Sequence, residues 1–101
     1  MEDREMFEQF TRLLIDDMCK GITSMEMAVQ EGNLEKLKRL SHAVKSMGGY
    51  VQGNMRETAR ELEKTCREGV LNKAREQVIL LRIEYENIRE KIEKYLEDIH
   101  G

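Results

Sequence analysis

Apolar residues recur along this chain at steps of three, four and seven. Glycine and asparagine interrupt the pattern at three places: Glu31-Gly32-Asn33, Gly53-Asn54 and Glu68-Gly69-Val70. Four helical segments result. In the first, Phe7, Leu14, Met18, Ile22, Met25 and Val29 form one stripe with Phe10 beside it, which predicts a helix of about 23 residues. The few residues before it leave room for a short extra N-terminal helix. The second segment opens at Asn33, a side chain suited to an N-cap, and sets Leu37, Leu40, Val44, Met47 and Val51 on one side, so it is expected to run to residue 51. Asn54 with Glu57 three residues later reads as a capping box ahead of Met55, Ala59, Leu62 and Cys66, and Gly69 closes this third and shortest helix. The fourth alternates steps of four and three through Ala74, Val78, Leu81, Tyr85, Ile88, Ile92 and Tyr95, the seven-residue period of near-antiparallel bundle packing. Short connections then predict an all-α, up-down-up-down antiparallel four-helix bundle, with residues 1–101 as one domain.

Composition narrows what such a bundle could do. The absence of proline and tryptophan and a charged fraction of 37% suit helices over a turn-rich sheet sandwich. Seventeen basic and 20 acidic residues, interspersed to a net charge of -3, supply no basic field of the kind that phosphate-backbone binding needs, so no nucleic acid partner is expected. The longest purely apolar run, Val78 to Leu81, is far shorter than a membrane span, and the opening Met-Glu-Asp-Arg-Glu is acidic where a signal peptide would be basic. A cytoplasmic protein without membrane contact, and a monomer, is the expectation. Cys19 and Cys66 lack the spacing of a metal or redox pair, and Cys66 falls on the apolar ridge of the third helix.

One polar residue stands out against this pattern. With about 100° per residue and Leu37 at zero, Leu40, Val44, Gly48 and Val51 all fall within about 60°, while His42 falls near 140°. The imidazole therefore faces away from the core. Ser46 and Gly49 follow it along the same ridge, and Lys38, Lys45 and Arg39 surround it. Cations disfavour a positively charged ring, which leaves a lone pair on Nε2, and they favour an anionic group transferred onto that nitrogen. Small neighbours leave room for a second protein to approach. A solvated surface histidine is the plain reading, and these surroundings argue against it.

The residues His42-Ala43-Val44-Lys45-Ser46, after "EGNLEKLKRLS" and before "MRETARELEKTCREG", resemble the histidine phosphotransfer domains of bacterial and fungal phosphorelays, whose signature is H-x-x-K-G followed by a Leu-Glu-containing helix. The resemblance extends over nearly the whole chain. It implies that His42 accepts a phosphoryl group from a receiver-domain aspartate, or from a histidine kinase, and passes it to another receiver. It further implies that Lys45 helps to neutralise that group, and that Gly48 or Gly49 supplies the small residues beside it. Ser46 departs from the family glycine by one hydroxymethyl group. Aligned on the apolar ridge, Glu63 takes the place of the acidic or amide side chain that bonds the imidazole Nδ1, with Arg60 one turn before it; on raw count the place falls to Lys64. Lys38, Arg39, Ser46, Gly49 and Arg60 are the residues expected to meet the partner.

The resemblance implies a phosphocarrier and not an enzyme, since the chain has no glycine-rich nucleotide loop and no acidic metal pocket. No cofactor of its own is expected, and Mg²⁺ would come with the receiver. The partners implied are response-regulator receivers or a hybrid sensor kinase. Two rivals compete: an interaction bundle in which His42 is incidental, and a metal site built on Glu97-x-x-His100. The second lacks a matching motif, because Arg39 stands where His42 would need a glutamate.

Overall fold

A computed structural model describes residues 3–48 and 54–100, with the side chains of Gly48 and His100 excepted. Four helices follow in order: α1 (Asp3–Glu31), α2 (Leu34–Gly48), α3 (Met55–Glu68) and α4 (Leu71–His100). Each packs on its chain neighbours and α1 closes the ring against α4, which makes an up-down-up-down antiparallel four-helix bundle. Among the described residues no separate N-terminal helix precedes α1, because nothing between Asp3 and Phe7 breaks the helical run. Gly49, Val51 and Gly53 lie outside the described residues.

The turns follow from local chemistry. At Gly32 and Gly69 the backbone enters the left-handed region (φ 69° and 78°), open to glycine without a Cβ clash. The next residue's N–H then reaches five residues back, Asn33 to the Ala28 carbonyl and Val70 to the Thr65 carbonyl, which gives carbonyls in the last turns of α1 and α3 a partner. Asn33 at once starts α2, its Oδ1 accepting from the Lys36 N–H at 3.0 Å. The capping box expected at Asn54 does not form: Asn54 makes no side-chain cap bond. Glu57 turns instead to Arg60, at 2.6 Å.

The core is the stripe the periodicity predicts. Met18, Ile22, Met25, Leu37, Val44, Met55, Ala59, Leu62, Ala74, Val78, Leu81 and Tyr85 are all buried, and Leu14, Leu40, Met47 and Ile88 pack partly against them. At about 25 cal/mol per Å² of apolar area, this burial is the main force closing the bundle. Polar ties then lock α1 to α4. The Arg82 guanidinium donates to both Glu26 carboxylate oxygens (2.8 and 3.1 Å) and to Thr23 Oγ1 (2.9 Å), and the Tyr85 hydroxyl donates to the Ile15 carbonyl at 3.0 Å.

Two parts of the expected stripe fail. Phe7 and Phe10 are each 53% exposed, and Tyr95 is exposed while its neighbour Leu96 is buried. Both departures have one cause. The long helices, 29 and 30 residues, reach about 45 Å, whereas α2 and α3, at 15 and 14 residues, reach about 22 Å. Among the described residues, α1 and α4 have only each other past the hairpin of α2 and α3. A two-helix contact buries a narrower stripe than a four-helix core, and it selects Leu96, which faces α1, over Tyr95.

Candidate functional site

His42 lies near the middle of α2 on the outer side, and its side chain is 64% exposed. One residue earlier the chain buries a side chain the stripe did not include: Ser41 is fully inside, its hydroxyl donating to the Leu37 carbonyl at 2.7 Å. This internal bond lets a small polar residue face the core and turns its neighbour His42 outward.

On α3, Leu62 points into the core, so Glu63, about 100° further round, faces α2, and Lys64, a further 100° on, points away and is exposed. The structure therefore brings Glu63, and not Lys64, to His42. Glu63 Oε2 lies 3.4 Å from His42 Nδ1 and 3.2 Å from Lys45 Nζ, while Arg67 Nη1 stands 3.7 Å from Oε1. Burial pushes the Glu63 carboxyl up, but hydrogen bonds from Lys45 and His42 and their charges outweigh it and hold the group below its ordinary value. An ionised carboxylate only accepts, so this contact favours the tautomer with the proton on Nδ1 and the lone pair on exposed Nε2.

The other residues expected at the site are placed around this centre. Ser46 is exposed one turn on from His42, its hydroxyl donating back to the His42 carbonyl at 3.2 Å, which keeps it low against the helix. Arg39 is exposed on α2. Lys38 leans on Glu35 at 3.7 Å, and Arg60 is engaged by Glu57 and does not reach Glu63. Lys45 differs most from expectation: its side chain is only 27% exposed and its ammonium rests on Glu63. Arg67 was legible as a residue four beyond Glu63 on the same helix, but not as a neighbour of a histidine-bonded carboxylate. Cys66, just inside, is buried, and burial pushes its thiol up.

An outward imidazole with Nε2 free, Nδ1 held by a carboxylate and a lysine one turn on is the arrangement of a nucleophile for phosphorus. The family model of the Hpt domain matches residues 9–91. The chain belongs to the Hpt domain family. No curated protein and no solved structure gives a significant match. The matched span contains all of α2 and α3. Hpt domains are phosphocarrier modules with a phosphotransfer role in two-component systems, and they interact with receiver domains and kinases. Among the described residues, no helix is long and apolar enough to cross a membrane.

Proposed function

We propose that this Hpt domain is a phosphorelay intermediate whose His42 accepts a phosphoryl group on Nε2 from a receiver-domain aspartate and passes it to a second receiver. The observation that carries this reading is the single contact between His42 Nδ1 and Glu63 Oε2 beneath a ring that is otherwise open to solvent. It favours the tautomer a nucleophile needs and supports the positive charge the ring acquires on attack. Lys45 supplies charge for the incoming phosphoryl group. Lys38, Arg39, Ser46 and Arg60, with Gly49 outside the described residues, form the approach surface.

Charge supports a receiver as the donor. Between Leu34 and Glu68 the chain carries eight basic and five acidic residues, so the helical hairpin bearing His42 is net positive on a protein whose total is -3. A receiver's phosphorylation pocket is acidic and holds Mg²⁺, so that metal belongs to the partner and none is needed here. Incubation with a phosphorylated receiver tests the reading: the protein should acquire an acid-labile, base-stable phosphate, and His42→Gln should acquire none. Phosphate retained on the variant would place the acceptor elsewhere.

A further inference from the structure

One oxygen, Glu63 Oε2, serves two donors at the site: Lys45 Nζ at 3.2 Å and His42 Nδ1 at 3.4 Å. The imidazole bond is the longer of the two and lies beyond the usual N–H···O range. Lys45 thus shares, at the shorter distance, the acceptor that orients the nucleophile, and it does so from a partly covered position on the flank of α2. Its partner is well covered too, the Glu63 side chain being 14% exposed, so this carboxylate has little solvent to share its charge with.

We propose that Lys45 is a positioning residue with two stations: in the resting protein it holds Glu63 Oε2 away from full engagement with His42, and on phosphorylation it moves to the phosphoryl oxygens and leaves Oε2 to the ring. This rests on His42 being the acceptor, as proposed above. The chemistry balances without any further group. The Nε2 lone pair forms the N–P bond, the P–O bond to the donor aspartate breaks with its electron pair leaving on the carboxylate, and the proton on Nδ1 stays. The ring is then cationic beside a phosphoryl dianion. Both changes act in one direction, since the dianion attracts the ammonium one turn away and the cationic ring binds Oε2 more strongly once that oxygen is free. Arg67, 3.7 Å from the other carboxylate oxygen, remains to keep Glu63 in place. Lys45 thereby ties the strength of the orienting bond to the phosphorylation state, so the resting histidine is less tightly held than the phosphorylated one.

The test is nitrogen-resolved NMR of the Nδ1 proton of His42 in the intact chain, with the parent, Lys45→Met and Lys45→Arg. In the unphosphorylated proteins, Lys45→Met should move this proton downfield and slow its exchange with solvent several-fold, and Lys45→Arg should restore the parent values. Labelling with a small phosphoramidate, which needs no receiver, should then perturb the Lys45 Nζ signal of the parent and remove its proximity to Glu63. The inference is overturned if Lys45→Met leaves the resting Nδ1 proton unchanged, or if Lys45 Nζ is indifferent to a phosphate on His42. Absence of label on His42 would defeat the proposed acceptor, and the inference with it. That failure is distinguishable, because the comparison of resting proteins reads the sharing of Oε2 by itself.

Discussion

The hairpin of α2 and α3 and the free ends of α1 and α4 are built from similar helices and used in opposite ways. The hairpin is short and net positive, and the centre of its apolar stripe (Leu37, Val44, Met55, Ala59, Leu62) is buried, so its outer face is free to carry chemistry. The rest of the chain holds nine basic and 15 acidic residues, and the far end of α1 leaves Met6, Phe7, Phe10 and Leu13 more than half exposed. The difference shows where rigidity comes from. A histidine presented to a partner must not move with its neighbours, and α2 meets this by packing between α1 and α3, whereas the free ends carry no part of the site and, among the described residues, pack on one another.

The hardest test of this comparison is at His42. His42→Gln should abolish phosphate acceptance while changing stability by no more than about 0.5 kcal/mol, because the ring is exposed and buries almost nothing. Chemical denaturation alongside the phosphorylation assay reads both at once, and unfolding would mean that the hairpin's outer face is structural after all. Ser46→Arg should come next. It adds a long cation one turn from the ring, on a surface that a receiver must cover to bring reacting atoms within about 3 to 3.5 Å. Single-turnover transfer should fall by orders of magnitude. Ser46→Gly should transfer at the parent rate or faster, at a helix-propensity cost below about 1 kcal/mol.

Stability should divide along the same line. Leu81→Ala removes a fully buried side chain from the four-helix core and should cost about 2 to 5 kcal/mol. Phe7→Ala removes a larger one from the free end, yet more than half of that ring already meets solvent, so the cost should stay below about 1 kcal/mol. Urea midpoints of the two variants decide it. Comparable losses would show that the free ends are packed as tightly as the core.

Much of this division could be read from the chain alone, and each failure has its own physical origin. Helical period located the four helices, the core of the hairpin and the outward direction of His42, because each depends only on angle along one helix. Tyr95 against Leu96 was misread because the choice depends on how many helices surround that level, a property of relative lengths. The capping box at Asn54 matched by residue type, but Glu57 had a stronger partner in Arg60. Ser41 was missed for a different reason: its angle, about 40° from Leu37, lies inside the core arc, but a pattern of apolar residues does not count a hydroxyl that bonds to its own helix. At the site, the ridge alignment brought Glu63 to the right face, whereas the Lys45–Glu63 contact requires knowing how close α2 and α3 lie.

The smallest expected effect concerns the pH dependence of that contact. Burial raises the Glu63 carboxyl, and its hydrogen bonds to Lys45 and His42, with their charges, lower it by more, so its folded value lies below the group's ordinary one. A folded value below the unfolded one means the folded state releases this proton more readily. The contribution to stability is therefore fully present above the unfolded value, about 4.3, and is lost as pH falls through the folded one. Glu63→Gln keeps the shape and an acceptor oxygen but has no such proton to bind. Between about pH 5 and pH 2 the parent should lose stability slightly faster than this variant, while from pH 6 to 8 the two curves should run parallel. The difference should shrink in high salt, because Lys45 and Arg67 reach Glu63 from a partly solvated side. Urea denaturation across that range, at low and high ionic strength, measures it directly. Identical slopes below pH 5 would mean that Glu63 is not held ionised by its neighbours, and the hairpin would then owe its charge pattern to partner recognition alone.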